Sequence, residues 1–333
     1  MKDLALKCYL FTLSKGRKNL KKFHYLRDVF KYFRSIHWKL WKKDENSRLR
    51  AQDIINYPNR EKKIASLKKG LQKADKEFIS NMYRKIQLIS ENNILDYKKI
   101  FSEKEEKEQK DFADFCLKHP QPYFELDQIS SWLNIFYQDT LLKIPNIKEY
   151  VQKKVILDCG GYIADTALMF SEKLSPQKVY TFEPNTENFN QANKTISDNN
   201  KQEIIIPIKF WVGKDNYQAT ISNWGAWAKI NSEATGEEIE VVSIDHFINS
   251  EQKKVWLIKR DIEGLEYESI MGAEQTIKRD KPILLISIYH SWKDFFEIKP
   301  LLESWDIGYN YTFLRRNCFH PFADILLVAY PEN

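Results

Sequence analysis

The chain has 333 residues, of which 43% are hydrophobic and 29% are charged, and its formal net charge is +6. This length is enough for one α/β domain of about 200 residues and a smaller unit. No apolar run approaches the roughly 18 residues that a membrane-spanning helix needs. The four cysteines lack metal-ligand spacing, and residues 5–13 include Lys7 and no cleavage site, so we expect a cytoplasmic protein with reduced thiols.

The first 50 residues are the most basic part of the sequence, with 15 Lys and Arg against 4 Asp and Glu, whereas the remainder has a net charge of −5. Residues 19–43 predict an amphipathic helix whose aromatic side would pack on the rest of the protein. Such a segment could instead lie on anionic lipid at the inner face of a membrane, or dock on a protein partner. Nucleic-acid binding is the least favoured partner class, because no RNA-binding motif accompanies the charge.

Residues 51–121 are predicted to form a helical accessory region. Apolar residues recur at spacings of three and four from Arg60 to Ser90, interrupted by Gly70. We expect this helix to pack onto the domain that follows, because the run is too short for a stable coiled-coil dimer. Residues 102–110 are almost wholly charged and predict a solvated helix face. Residues 119–122 mark the entrance to the third region, 122–333.

This third region alternates strands and helices, which indicates a largely parallel sheet covered by helices on both faces. Its last two strands are joined by a connection too short for a crossover helix, so they should form an antiparallel hairpin at the sheet edge. Residues 217–242 predict an inserted hairpin near the mouth of a ligand site. Strands are expected at 155–159, 178–182, 204–211, 255–260, 282–288, 308–315 and 323–330, and helices at 163–173, 186–198, 263–279 and 293–304.

Two strand ends carry the clearest functional signal. Residues 155–166 (VILDCGGYIADT) combine a buried strand, a glycine pair and a helix start, and residues 179–184 (VYTFEP) end a second strand in Glu183. A carboxylate at that position can accept the hydroxyl protons of a ribose bound across the strand ends. Together the two stretches predict a cofactor that contains adenosine.

The loop between these strands decides which cofactor fits. It lacks the G-x-G-x-x-G pattern that presents backbone amides to a pyrophosphate, and Asp158 would repel a phosphate. S-adenosylmethionine carries no phosphate, and its ammonium group can be held near Asp158 through water or backbone amides. The loop therefore favours S-adenosylmethionine over a dinucleotide.

Further motifs give the sequence a family resemblance. The loop after Asp158, the strand end at Glu183, the stretch IKRDIEGLE from Ile258 and the ISIYH that ends at His290 resemble, in the same order, the motifs of the FkbM family of methyltransferases. The resemblance implies a Rossmann-like class I methyltransferase fold of the α/β class, mostly parallel with an antiparallel C-terminal edge hairpin, behind an N-terminal helical extension. Ala164 departs from the family pattern, which usually has glycine there. The cofactor-binding residues that the resemblance implies are Asp158, Cys159, Gly160, Gly161, Tyr162, Asp165, Thr166, Glu183, Pro184 and Asn185.

Catalysis is expected where the fourth and fifth core strands end. If the fourth strand continues, alternation places Lys259, Asp261 and Glu263 on one side, facing Tyr289 and His290. His290 has a suitable pKa for a general base that deprotonates an acceptor hydroxyl, and Asp261 could take the proton instead. Asp261 and Glu263 could also hold a divalent cation, but metal-free catalysis is preferred.

The resemblance implies methyl transfer from S-adenosylmethionine and suggests oxygen as the acceptor. A hydroxyl on a sugar, a glycan precursor or another small hydroxylated compound is the expected substrate. The alternative is a degenerate methyltransferase fold that binds cofactor or glycan and assists assembly, which Ala164 alone supports. Methylation of RNA is a third possibility.

Overall fold

The computed structural model describes residues 45–91, 100–118, 144–222, 229–230, 236–315 and 324–332. The predicted helix over 19–43 and the predicted domain entrance at 119–122 lie outside these ranges. The helices of the described residues are α1 Glu45–Asn56, α2 Arg60–Lys68, α3 Lys73–Ser90, α4 Glu103–Lys118, α5 Ile147–Val151, α6 Asp165–Lys173, α7 Thr186–Asp198, α8 Ile244–Glu251, α9 Glu266–Met271, α10 Glu274–Asp280 and α11 Trp292–Ser304. The strands are β1 Val155–Cys159, β2 Lys178–Phe182, β3 Ile205–Ile208, β4 Trp211–Gly213, β5 Tyr217–Ser222, β6 Lys229–Ile230, β7 Glu237–Ser243, β8 Val255–Arg260, β9 Ile283–Ser287, β10 Tyr309–Arg315 and β11 Ile325–Pro331.

Seven of these strands form one sheet in the order β10-β11-β9-β8-β1-β2-β3. The pairs β1–β2, β2–β3, β1–β8 and β8–β9 are parallel, whereas β11 is antiparallel to both β9 and β10. The mostly parallel sheet with an antiparallel hairpin at its C-terminal edge is therefore confirmed. The order is that of the class I methyltransferase sheet.

Apolar side chains cover both faces of the central strands, as the continuous apolar runs predict. Leu157 and Ile258 face one hydrophobic cluster, which also includes the accessory helices, and Ile156 and Leu257 face the other. All four are 0% exposed. Burying each of them contributes about 1.5–3 kcal/mol, which fixes the register of β1 against β8.

A second, four-stranded sheet has the order β4-β7-β5-β6. The predicted strand over 204–211 is wrong in its extent, because the chain leaves the main sheet after Ile208 and β4 pairs with β7 instead. The inserted hairpin is observed as the antiparallel pair β5–β7. Glu237, the first residue of β7, accepts hydrogen bonds from the backbone and side chain of Thr186. This contact brings the second sheet to the end of β2, near Glu183.

The accessory helices pack on the domain, as the sequence predicts. Tyr57 stacks on Trp292 with ring centroids 4.3 Å apart, and Lys63 pairs with Glu297 at 2.6 Å. Farther along, Asp75 accepts hydrogen bonds from the Thr312 hydroxyl and the Phe313 amide at 2.7 and 3.0 Å. The single helix expected over 60–90 is instead two helices, α2 and α3, because Gly70 takes a left-handed φ of +72° between them.

The charged stretch 102–110 is not only a solvated helix face, which corrects the sequence prediction. Glu105 is 8% exposed and Gln109 is 0% exposed. Glu105 accepts hydrogen bonds from Lys85 of α3 and from Arg315 of β10. A buried carboxylate between two cations joins α4 to the accessory helices and to the edge of the main sheet.

Candidate active site

Two glycines close the loop after β1. Gly160 has a φ of +82°, and a Cβ added there would lie 1.9 Å from the backbone oxygen of Asp261. A Cβ on Gly161 would lie 2.0 Å from Thr181 Oγ1. Both glycine amides donate to the Phe182 carbonyl, at 3.1 and 2.8 Å. The glycine pair therefore lets the ends of β1, β2 and β8 meet more closely than any larger residue would permit.

Asp158 and Lys259 form a buried ion pair behind this loop. Their residues are directly opposite in the β1–β8 register, so both side chains point to the same face of the sheet. Lys259 Nζ is 3.1 Å from Asp158 Oδ1 and donates to the Gly160 carbonyl at 2.7 Å, and Thr181 donates to Asp158 at 3.1 Å. Burial raises the pKa of Asp158, and Lys259 opposes that shift. Lys259 therefore holds the glycine loop, which corrects its predicted place in the acceptor pocket.

The loop continues through two strained residues into α6. Tyr162 and Ala164 have φ values of 47° and 64°, and this left-handed conformation costs an L-residue roughly 1–2 kcal/mol. Ala164 thus adopts the backbone shape for which glycine is better suited. Asp165 and Thr166 are buried in the first turn of α6, where the Asp165 carboxylate accepts the Thr166 amide at 2.8 Å.

Glu183 lies between this loop and α7. Its side chain accepts hydrogen bonds from the amides of Tyr162 and Asn185, at 2.9 and 3.0 Å, and from Asn188 Nδ2 at 3.4 Å. Asn185 in turn caps α7 by accepting the Asn188 amide at 2.9 Å. Burial raises the pKa of Glu183 to about 7, although these hydrogen bonds oppose the shift. The carboxylate therefore needs further donors to remain ionised in its buried position.

Two other predicted cofactor residues turn their side chains inward. Cys159 is 0% exposed within the main core cluster, and burial raises the pKa of its thiol to about 11. Its contribution to the site is therefore the backbone carbonyl, which accepts the Asp261 amide at 3.1 Å. Pro184 is also buried. Tyr162, by contrast, is 36% exposed and can contact a ligand.

Asp261 and Tyr289 meet at the ends of β8 and β9. The Tyr289 hydroxyl donates to Asp261 Oδ1 at 3.3 Å and lies 3.5 Å from Asp324 Oδ1. Asp324 precedes β11 and was not predicted from the sequence. It enters the site because β11 pairs with β9, a contact that joins residues far apart in the chain.

His290 lies among three carboxylates. Its Nε2 atom is 3.7 Å from Asp261 Oδ1 and 3.7 Å from Glu263 Oε2, while its Nδ1 atom is 2.8 Å from Glu266 Oε1. Burial alone would lower the pKa of His290, but Glu266, with Glu263 and Asp261, outweighs burial and raises the pKa to about 9. With these three carboxylates beside it, the imidazole is protonated at neutral pH and is therefore a poor general base.

A turn, not a longer strand, brings Glu263 to this cluster. β8 ends at Arg260, and Glu263 and Gly264 have φ values of 60° and 102°. The strand therefore ends where it was predicted to end and does not continue to Glu263, whereas the predicted helix over 263–279 is wrong in its bounds. Glu266 stabilises the turn by accepting the Ile262 and Gly264 amides at 2.8 and 2.9 Å.

Glu266 is the main site residue that sequence reasoning missed. It is 0% exposed and binds the turn and His290 with the same carboxylate. The signal was present, because Glu266 is the last residue of the IKRDIEGLE motif. Its role could not be assigned, since the sequence alone does not show which acidic residue of the motif faces His290.

Comparison with known proteins adds the family. Residues 158–311 match the model of the methyltransferase FkbM domain. This part of the chain is therefore similar to an FkbM methyltransferase domain. The matched residues include the glycine loop, Glu183 and the cluster around His290. S-adenosylmethionine is the methyl donor of this family, as the sequence predicted.

Solved structures with similar chains include several methyltransferases. The methyltransferase FkbM of Methylobacillus flagellatus KT is 18% identical with a TM-score of 0.47, and the match covers 77% of this chain and 60% of that one. A methyltransferase from Geobacter sulfurreducens is 11% identical with a TM-score of 0.38, covering 66% of this chain and 95% of that one. TrmK of M. capricolum, in complex with S-adenosylhomocysteine, is 14% identical with a TM-score of 0.34, covering 57% of this chain and 68% of that one. No curated protein matches the chain at a significant level.

Proposed function

We propose that the protein transfers a methyl group from S-adenosylmethionine to a hydroxyl oxygen of a sugar, a glycan precursor or another small hydroxylated compound. The observation that carries this proposal is the convergence of Asp261, Tyr289 and His290 beside the glycine loop. The backbone oxygen of Asp261 approaches Gly160 so closely that a Cβ could not fit between them. The backbone at Asp261 is thus in direct contact with the proposed cofactor loop.

The residues present fit the cofactor. Glu183 is a buried carboxylate that needs more hydrogen-bond donors, and the two hydroxyls of a ribose supply them. Gly160 and Gly161 leave a cradle that side chains would fill, and the exposed ring of Tyr162 borders it. When bound, S-adenosylmethionine supplies a methyl carbon activated by a positively charged sulfur.

Asp261 is proposed to orient the acceptor and receive its proton. It is partly exposed, and the hydroxyl of Tyr289 holds one of its oxygens at 3.3 Å. The acceptor oxygen loses its proton to Asp261 and gains the methyl group, so the products are a methyl ether and S-adenosylhomocysteine. His290 faces Asp261 from the adjacent strand end and is proposed to balance its charge.

The reaction can be tested without knowing the acceptor. Purified protein and methyl-labelled S-adenosylmethionine are incubated with a cell extract, which is then separated into small-molecule, glycan, protein and nucleic-acid fractions. Label in a base-stable ether of a small molecule or glycan supports the proposal, and Asp261→Asn protein serves as the blank. Label in nucleic acid would show that RNA is the substrate. No label above the blank would favour the alternative of a degenerate, binding-only fold.

We also propose that the basic residues before α1 contact an anionic membrane surface from the cytoplasmic side or a protein partner. Across the described part of the chain, no helix has the length and apolar character to cross a membrane. Ala51 and Ile54 of α1 are buried, so a deletion should stop before α1. Removal of residues 1–43 is expected to leave cofactor affinity unchanged and to reduce sedimentation with anionic vesicles at low salt. A shortened protein that cannot fold would instead show that the segment packs on the domain.

A further inference from the structure

One nitrogen of His290 is buried without a hydrogen-bond partner. Its side chain is 2% exposed, and Nε2 has no such partner within the part of the chain that the structure describes. Asp261 Oδ1 and Glu263 Oε2 are each 3.7 Å from this nitrogen. These separations are too long for hydrogen bonds.

The opposite side of the ring is held firmly. Glu266 is 0% exposed and also accepts the Ile262 and Gly264 amides, so its carboxylate acts as an acceptor and His290 Nδ1 must donate to it, at 2.8 Å. A cation that replaces the Nε2 proton as the counter-charge of these carboxylates would be bound by the Nε2 lone pair, which is 3.7 Å from Asp261 Oδ1 and from Glu263 Oε2. A carboxylate behind a histidine that presents its other nitrogen is the arrangement that orients metal ligands.

We propose that His290 Nε2, Asp261 and Glu263 bind one divalent cation, with Glu266 as the residue that positions the histidine. Nε2 lies 3.7 Å from one oxygen of each carboxylate, and Asp261 and His290 also form a group with the positioning residue Glu266 in which the ligand atoms lie within 4.8 Å of one another. Two donors 3.7 Å apart can share an ion with bond lengths of roughly 2.0–2.2 Å at an angle of roughly 115–135°. The sequence analysis preferred catalysis without a metal ion. It could not show that His290 Nε2 lies near both carboxylates.

The donor set indicates the class of metal. An imidazole nitrogen favours Mn²⁺ or Zn²⁺ over Mg²⁺ and Ca²⁺, and carboxylates with open positions suit Mn²⁺. Three protein ligands leave room for oxygens of the substrate. Building on the proposed function, we expect an acceptor with two adjacent hydroxyls, because both can bind one ion. A hydroxyl bound to the ion loses its proton more readily, and the proton passes to Asp261 as before.

The experiment measures metal binding alone. Full-length protein is freed of metal with a chelator, dialysed and titrated with MnCl₂ in a calorimeter. One ion should bind per chain, and Asp261→Asn, Glu263→Gln and His290→Gln should each weaken binding at least about tenfold. Glu268→Gln is the matched control, because Glu268 lies in the same short helix as Glu266 but pairs with Lys293 at a partly exposed position.

A second readout separates weak binding from poor folding. Mn²⁺ should raise the thermal unfolding midpoint of the parent and of Glu268→Gln, and should leave the midpoints of the three ligand variants unchanged. Equal Mn²⁺ affinity in parent and ligand variants, or no binding by the parent, would overturn the cation site. Methyl transfer that persists in chelator would then leave the proposed function intact. Mn²⁺ binding without any methyl transfer would support the cation site and contradict the proposed function.

Discussion

The ends of β1 and β2 differ in kind from the ends of β8 and β9. At the first pair, polar groups bind one another and the backbone: Asp158 pairs with Lys259, and Glu183 accepts two loop amides. At the second pair, two carboxylates lie 3.7 Å from His290 Nε2, which has no hydrogen-bond partner among the residues that the structure describes. The cofactor end is thus pre-formed by hydrogen bonds, whereas the acceptor end has like charges close together and needs a cation or a proton to balance them.

This difference separates the two tasks that the residues perform. A pre-formed loop lowers the entropic cost of binding a cofactor, and its residues should affect affinity. Carboxylates gathered beside a histidine can act on a substrate proton, and their residues should affect turnover. Substitutions at the two ends therefore should change different kinetic constants.

The largest effect is expected at the acceptor end. Asp261→Asn removes the proposed proton acceptor and should lower turnover by roughly 10²–10⁴-fold, with S-adenosylhomocysteine affinity within a fewfold of the parent. His290→Gln should lower turnover to a similar extent, because it leaves the carboxylates without their counter-charge. Single-turnover kinetics with the labelled acceptor provide the measurement.

Tyr289→Phe is a milder substitution at the same site, and its effect on turnover can be compared with that of Asp261→Asn. It removes a single hydrogen bond of 3.3 Å to Asp261, so its effect on turnover should be clearly smaller. If Asp261→Asn and His290→Gln both retain turnover close to the parent, the acceptor end is misassigned. The segment 223–227 in the insertion, which lies outside the described residues, would then be the next region to test.

The sequence predicted the main sheet well because local patterns determine it. The bounds of β1, β2 and β8 are as expected, since short apolar runs with clear ends define buried strands. Errors arose where distant contacts decide the outcome. Gly272 interrupts the expected helix over 263–279, and a Cβ there would lie 2.3 Å from the Gly213 carbonyl. No local pattern reveals that β4 passes so close.

In the candidate site, too, the residues in local motifs were predicted, whereas the roles that depend on distant contacts were not. Glu183, Gly160 and Asp261 were found from motifs, and the structure brings them to one edge of the sheet. Lys259 was assigned to the acceptor pocket because it lies near the end of β8, whereas the register pairs it with Asp158, which the sequence alone does not show. Glu266 was missed because it acts through His290, a residue 24 positions away. Motifs therefore show which segments meet, and only the fold shows which side chains face one another.

A smaller effect is expected at the cofactor end. Glu183→Ala removes the ribose acceptor, and each charge-assisted hydrogen bond contributes roughly 1.5–3 kcal/mol, so S-adenosylhomocysteine should bind at least about tenfold more weakly. Calorimetric titration measures this affinity. Glu187→Ala, four residues further along the chain in the first turn of α7 and exposed, is the matched control and should bind like the parent. Unchanged affinity in folded Glu183→Ala protein would contradict the role of Glu183.

The smallest predicted effect is the pH dependence of cofactor binding. Burial raises the pKa of Glu183 from its ordinary value of 4.5 to about 7, so the carboxyl is partly protonated at neutral pH in the absence of cofactor. Ribose hydroxyls donate to the ionised form, and binding must therefore release a proton from the fraction that is protonated. Affinity for S-adenosylhomocysteine should therefore rise as pH increases through about 7. It should level off at higher pH, because Glu183 is then fully ionised. Calorimetry between pH 6 and 8 in buffers of different ionisation enthalpy measures both the affinity and the proton released.

The control is Glu183→Gln, which cannot titrate and preserves a hydrogen-bond acceptor for the Tyr162 and Asn185 amides. A pH dependence of equal size in Glu183→Gln would assign the titration to another group.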